Sequence, residues 1–179
     1  EYFKALKTLS LENDFLLVYD EVQTGVGITG KMWAHQHFCM PKCDNDCQIH
    51  CKAIEPDIIS FGKKTQCCGI FAGNRLNEVD DHVFKESSRI NSTFGGNLVD
   101  MVRFTIYLEL IEKEDLVSAA SSNGDYLLNC LSELQDKYSG LMSNSRGKGL
   151  FCAFDLPTSE QRDKLITAME ELGVLILGC

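Results

Sequence analysis

The sequence lacks any apolar run of membrane-spanning length. Its longest near the end, Gly173-Val-Leu-Ile-Leu-Gly178, falls far short of the roughly twenty residues a spanning helix needs. Positive charge is also scarce: 17 Lys and Arg stand against 26 Asp and Glu, a net charge of −9. That balance argues against a nucleic-acid partner and supplies no basic patch for a membrane surface. There is no starting Met and no leader-like segment, since Glu1-Tyr-Phe-Lys-Ala-Leu-Lys7 reads as the middle of a helix. The chain also stops at Cys179, just after a strand-like run, and is read as a piece of a longer protein. Its ends therefore do not separate a cytoplasmic from a mitochondrial-matrix location. Internal repeats and long low-complexity segments are absent too.

What is present suffices for a domain with a real core: 179 residues, 44% of them hydrophobic. Cysteine is abundant at nine, but the count is odd and the chain has the character of an intracellular enzyme, so a disulfide framework is not the expectation. Cys130 on a helical apolar face and Cys152 inside Leu150-Phe-Cys-Ala-Phe154 read as buried free thiols.

Short apolar runs over Asp14–Asp20, Asp57–Phe61 and Gly69–Gly73 predict strands buried on both faces, as in a parallel or mixed α/β sheet. In open sheets of that class ligands collect beyond the carboxyl ends of strands, where Asp20 and Lys63 both fall. From Asn97 the pattern turns helical. Leu98, Met101, Val102, Ile106 and Leu110 recur along one helix that closes near Lys113–Asp115. Leu127, Leu131, Leu134 and Tyr138 mark a second, ending at Gly140, and both faces are expected to be core. A domain boundary is placed near Ser139–Met142, dividing residues 1–139 from 140–179. A strand at Gly149–Asp155, a helix at Ser159–Leu172 and a strand at Val174–Leu177 then predict a truncated βαβ unit.

Chemistry concentrates in three stretches. Asp57-Ile-Ile-Ser-Phe-Gly-Lys63-Lys64 presents an amine on a turn after a strand, where it can lose its proton and condense with a carbonyl as a Schiff base. Spacing alone leaves Lys63 and Lys64 both open, beside the plain alternative of a solvated lysine loop. Asp20-Glu-Val-Gln23-Thr-Gly25 offers a carboxylate that can keep a pyridine ring nitrogen protonated and an amide, Gln23, that can reach a phenolic oxygen. The glycines at 25, 27 and 30 turn the chain and allow close backbone approach to a ligand. The alternative is a solvated strand end with Gln23 capping a turn. Asn91-Ser92-Thr93 is either a phosphate-gripping turn or a helix-entry turn.

Taken in order, the three stretches resemble the class III pyridoxal-phosphate aminotransferases, the omega-aminotransferases, over nearly the whole chain. The resemblance implies the type I pyridoxal-phosphate transferase fold: the later half of its large domain and the start of its C-terminal small domain. It implies pyridoxal 5′-phosphate as cofactor, with Asp20 on the pyridinium nitrogen and Gln23 near the phenolic oxygen. Lys63, six residues after Asp57, becomes the Schiff-base lysine, which selects it over Lys64. Ser92 and Thr93 would grip the phosphate held by the neighbouring subunit of a homodimer with shared active sites. The substrates implied are an amino-acid donor and 2-oxoglutarate. The blocks Phe61–Gly69, Ser88–Arg103 and Arg146–Pro157 look most like members that act on the ε-amino group of L-lysine. Lys31 and the Trp33-Ala34-His35 stretch point instead toward those using 4-aminobutyrate.

Several parts that the family uses lie outside this chain: the glycine-rich phosphate loop and the ring-stacking aromatic before Glu1, and the substrate-carboxylate arginine after Cys179. The fragment alone is therefore not expected to be a competent enzyme. One stretch departs from the family, with Cys39, Cys43, Cys47 and Cys51 spaced by four and His50 beside them. Four thiolates can bind zinc or an iron–sulfur cluster, though the spacing is not the usual paired kind and Pro41 breaks any helix lining them up. A non-native insertion and a plain surface loop are the alternatives. A cysteine-rich metal module on a degenerate aminotransferase scaffold is the competing functional reading. His35 and His37 read as ordinary helix residues.

Overall fold

The computed structural model of the chain describes residues 1–38 and 54–179. Its first sheet has the order β1 (Val18–Asp20), β2 (Ile58–Phe61), β3 (Gly69–Ala72). β1 and β2 run parallel, with Val18 opposite Ile58 and Asp20 opposite Ser60. β3 returns antiparallel, pairing Phe61 with Gly69 and Ile58 with Ala72. The mixed sheet is the expected one, although β1 is shorter than the apolar run 14–20.

Helix α1 (Tyr2–Glu12) is held to this sheet through a buried polar knot. Ser10, fully buried, donates its hydroxyl to the Phe15 carbonyl at 2.6 Å and accepts from Arg75 at 3.1 Å. Asp57, also buried, accepts from Lys7 Nζ, from the Leu17 amide and from Arg75, each at 2.8 Å. Below the carboxyl end of β2 an aromatic column stacks Phe61 between Phe71 at 4.6 Å and Phe104 at 5.7 Å. Gly69 has to be glycine for this column, because a Cβ there would lie 2.7 Å from the Phe61 ring.

The helices α2 (Leu98–Lys113) and α3 (Leu116–Lys137) follow as predicted. Asn97 caps α2 by accepting the Val99 amide at 3.1 Å. Their apolar faces depart from expectation. Leu98 is 75% exposed and Val102 61%, and no residue of α2 is fully buried. Phe104 meets Phe61, but nothing among the described residues covers the Leu98–Val102–Ile106 stripe. The sheet is likewise open on one face, with Val18 54% exposed, so its strands are not buried on both sides.

The last segment also differs from expectation. In place of a βαβ unit it forms an antiparallel hairpin, β4 (Ser143–Lys148) with β5 (Phe151–Asp155), then helix α4 (Ser159–Glu171). A two-residue connection opens with Gly149 at φ +53°, a conformation that favours glycine in tight hairpins. Val174–Leu177 forms no strand, because no partner strand among the described residues accepts its backbone groups. Thr158 caps α4 and Gly173, at φ +79°, closes it. Cys130 and Cys152 are half-buried free thiols, less enclosed than expected. No helix among the described residues is long and apolar enough to cross a membrane.

Gly124 shows how tightly the hairpin sits on α3. A Cβ at Gly124 would overlap the Gly149 backbone, which is itself pinned by the bond from Leu150 N to Ile28 O at 2.9 Å. Glycine-to-alanine changes in a helix interior ordinarily stabilise. Gly124→Ala should instead destabilise the full-length protein, by about 1–3 kcal/mol, the typical cost of forcing extra volume against structure that cannot yield. Urea denaturation reads the sign directly.

Candidate active site

The parallel register of β1 and β2 brings their carboxyl ends together. The Glu21 amide continues the ladder by donating to Ser60 O at 3.0 Å. Asp20, exposed at the strand end, receives the Val22 amide and the Ser60 hydroxyl, both at 3.0 Å and both on Oδ1. Its Oδ2 has no hydrogen-bond partner among the described residues. One oxygen is thus fixed by protein donors, and the other is left without one among the described residues.

The neighbouring Glu21 has the opposite environment. It is 3% exposed and accepts from the Ala34 amide at 3.0 Å, the His35 amide at 2.9 Å, His35 Nδ1 at 3.1 Å and the Thr24 hydroxyl. Burial pushes its carboxyl upward, but the bonds from His35, Thr24 and Ala34 outweigh that and leave its pKa lowered. Glu21 therefore anchors the loop, and Asp20 is the carboxylate available for chemistry. Of the two alternatives read from the sequence, a wholly solvated Asp20-Glu21 strand end does not describe this geometry.

Beyond β2, Gly62 is buried and extended, and a Cβ on it would lie 2.9 Å from Cys68 Sγ. Lys63 follows in the left-handed region at φ +55° and opens a short 3-10 turn, Lys63–Thr65. Left-handed backbone is unfavourable for a residue with a side chain and collects at functional sites. The turn is closed by Gln66 N to Lys63 O at 3.0 Å and by the buried Thr65 hydroxyl on Cys67 O at 2.6 Å. Lys63 is exposed, and its amine makes no hydrogen bond or ion pair among the described residues.

Lys64 differs. It is half-buried and donates from Nζ to the backbone carbonyl of Gln23 at 2.7 Å. Its pKa is lowered by burial first and by the neighbouring Lys63 charge second, with Glu21 pulling the other way. The two lysines left open by spacing thus have separate environments, one engaged with backbone and one exposed.

Gln23 lies in the turn closed by Gly25 N on Glu21 O at 2.8 Å, with its side chain exposed. Asp20, Gln23 and Lys63 are accordingly brought to one edge of the sheet. Ser92 and Thr93 are not joined to them by any hydrogen bond among the described residues. They sit in an exposed turn closed by Gly95 N on Ser92 O at 3.1 Å, just before α2.

The glycine stretch serves a different partner from the one expected. A Cβ at Gly27 (φ +88°) would come within 3.1 Å of Val117, and one at Gly30 (φ +84°) within 2.8 Å of Ser121. The close approach these glycines allow is to α3. A mainly apolar cleft of about 690 Å³ opens between α1, the Ala34–Phe38 turn and the hairpin. Asp20 is among its walls, but Gln23 and Lys63 are not.

Reading the sequence missed Ser60 as a member of this cluster, and it weighed Lys64 only as a rival to Lys63, not as a partner of the Gln23 carbonyl. The signal for Ser60 was a lone hydroxyl in the apolar run Ile58–Phe61. Cys39–Cys51 lies outside the described residues. Among those described, no group of three or more His, Cys, Asp and Glu side chains is placed to hold a metal ion.

The donor set fits a cofactor built on a pyridine ring. Asp20 Oδ2 is an oriented carboxylate oxygen without a partner, the Lys63 amine stands at the adjacent strand end, and Gln23 offers an amide between them in chain order.

Comparison with known proteins is consistent with that fit. A family model described as aminotransferase class III matches residues 1–179. The chain is 46% identical, over 99% of its length, to the L-lysine-epsilon aminotransferase of Mycobacterium tuberculosis, of which it covers 36%. It is 33% identical to the 4-aminobutyrate aminotransferase of Dictyostelium discoideum, covering 99% of this chain and 32% of that one. A solved structure of lysine aminotransferase from M. tuberculosis superposes with a TM-score of 0.86 at 46% identity, over 99% of this chain and 38% of that one. The chain thus spans about a third of the length of the curated relatives it matches.

Proposed function

The chain belongs to the class III aminotransferase family, and on that premise we propose that it is part of a pyridoxal-phosphate enzyme moving the ε-amino group of L-lysine to 2-oxoglutarate. The observation that carries the reading is the parallel register that sets Asp20, with Oδ1 fixed and Oδ2 without a partner among the described residues, beside β2, whose end leads through Gly62 into the Lys63 turn. The donor rests on the similarity to lysine-epsilon aminotransferases, which exceeds that to the 4-aminobutyrate enzyme. In this reading residues 1–139 belong to the cofactor-binding large domain and the helices after it, and 140–179 open the small domain.

Bound at this site, pyridoxal phosphate supplies an aldehyde that captures amines and a protonated ring that draws electrons from the substrate carbon. The residues of the chain supply the rest. Asp20 Oδ2 would keep the proton on the ring nitrogen, its carboxylate held by Ser60 and the Val22 amide on Oδ1. The Lys63 amine would hold the cofactor through its aldehyde and be released by an incoming amino donor. Freed, it acts as the base that lifts and returns a proton at the donor's amino-bearing carbon. Gln23 would donate its amide to the phenolic oxygen. Ser92 and Thr93, exposed in this chain, suit contact with a phosphate on a second subunit of a homodimer.

The test is an absorbance titration of the full-length protein reconstituted with pyridoxal phosphate. L-Lysine should change the cofactor spectrum, and 2-oxoglutarate should restore it. A change with 4-aminobutyrate and none with L-lysine would move the assignment to the 4-aminobutyrate reaction, which Lys31 and Trp33-Ala34-His35 favour. No change with either donor would end the transaminase reading.

A further inference from the structure

We infer that Lys64 is a positioning residue, holding the turn that carries Gln23 at a set separation from Lys63. The inference rests on the proposed role of Lys63 as the cofactor-capturing amine.

The bond from Lys64 Nζ to Gln23 O, at 2.7 Å, joins residues 41 apart in sequence. It crosses between the two stretches that the chemistry requires together. The acceptor is the backbone carbonyl of Gln23, so what the bond fixes is the path of the chain beneath the Gln23 side chain. A lysine with no such task leaves its ammonium in water, at no desolvation cost. Lys64 is instead half-buried, with a carbonyl dipole as its direct partner and a second cation next to it. Even partial desolvation of an ammonium beside another positive charge is unfavourable unless something is gained by its placement.

The backbone supplies a second argument. Lys63 and Gln66, both at φ +55°, flank Lys64 and Thr65 in a turn made of left-handed residues at each end. Such a turn persists only when its surroundings hold it. Two bonds from its middle residues do so: Thr65 Oγ1 to Cys67 O on the inside, and Lys64 Nζ to Gln23 O across to the other strand end. Ser60 makes the matching tie one step earlier, from its hydroxyl to Asp20. Asp20 and Gln23 are thereby tied at the two ends of their turn to residues on either side of Lys63.

The variants are Lys64→Met, which keeps the aliphatic stem and removes donor and charge, and Lys64→Arg, which keeps both. In the full-length protein, the dissociation constant for pyridoxal phosphate and the absorption maximum of the bound cofactor are measured, with the melting temperature of the cofactor-free protein. Lys64→Met should weaken cofactor binding by about tenfold, in keeping with loss of one charged hydrogen bond, and shift the absorption maximum. Lys64→Arg should recover most of the affinity and the wild-type maximum. Lys64→Gln, with a donor but no charge, should fall between them and serves if the Met variant does not fold. Wild-type affinity and spectrum in Lys64→Met would overturn the inference. So would Arg and Met variants that are equally impaired with melting temperatures like the wild type. Borohydride reduction and peptide mapping keep the two questions apart. A cofactor label on Lys63 in every variant upholds the underlying reading whatever Lys64 does. A wild-type label elsewhere removes both.

Discussion

Replacing Lys63 with alanine in the full-length protein should abolish covalent capture of pyridoxal phosphate and slow amino transfer by at least about 10²–10⁴-fold, the usual contribution of a positioned general base alone. The first effect is read by borohydride reduction and mass mapping of the Lys63 peptide, the second by single-turnover kinetics with L-lysine. Lys63→Arg should fail equally. A guanidinium stays protonated at any working pH, so it retains the charge without the nucleophile or the base. Turnover in Lys63→Ala close to wild type would mean that another amine does the work, with Lys64 the first to examine.

The backbone at this position makes a further distinction. At φ +55° an alanine keeps the left-handed penalty that Lys63 bears, whereas glycine is free of it. Lys63→Gly should therefore be as inactive as Lys63→Ala yet more stable in its cofactor-free form, by about 1 kcal/mol. Denaturation midpoints of the two variants give that difference, and equal midpoints would show that the turn relaxes without cost. An inactive variant with the higher stability is what a strained catalytic turn implies, because the strain is kept for the placement of one amine.

The parts of this cluster that could be read from the sequence depend on one residue and its immediate neighbours. A carboxylate closing a short apolar run marked Asp20, and a glycine followed by an amine marked Lys63. The helix start at Asn97 and the stop at Gly173 were equally local. What could not be read depends on partners distant in sequence. Ser60 and Lys64 acquire their roles through the parallel register of β1 on β2, which nothing within either run specifies. Glu21 resembles any charged residue after a strand until donors from residues 24, 34 and 35 converge on it. Ser143–Lys148 is polar and does not alternate, and it becomes a strand because β5 pairs with it. Val174–Leu177 has strand composition but no partner strand among the described residues, and it does not become one. The apolar stripe of α2 was correctly placed on a helix, but the neighbour assumed to cover it is not among the described residues.

Asp57 should be the most costly single position for folding. Its carboxylate, 4% exposed, ties Lys7 of α1, the start of β1 through the Leu17 amide, and Arg75 after β3 onto the first residue before β2. Asp57→Asn is nearly isosteric but removes the negative charge and points an N–H group at donors. Lys7, with its side chain 12% exposed, is then left without a counter-ion. Breaking a buried pair from one side typically costs about 3–5 kcal/mol. The full-length variant should lose that much in urea denaturation, with Lys63 displaced as the end of β2 loosens. Adding Lys7→Met removes the stranded ammonium and should recover part of the loss. A double mutant no more stable than Asp57→Asn would place the cost in the Leu17 and Arg75 bonds instead.

The same carboxylate shapes the acid limb of stability. Burial would push its pKa up, but the Leu17 amide, Lys7 and Arg75 more than reverse this and hold it below the ordinary carboxylate value. A folded-state pKa below the unfolded one means that the stabilisation is complete above the unfolded value near pH 4. It is then lost as pH falls through the lower folded value. Wild-type stability should therefore fall steeply below about pH 4. Asp57→Asn should start lower and fall less steeply, keeping the part of the slope that Glu21, also held low, contributes. Parallel acid limbs in the two proteins would mean that Asp57 is not deprotonated because of its partners, and the triad would lose its place as the tie between α1 and β2, the strand before the Lys63 turn.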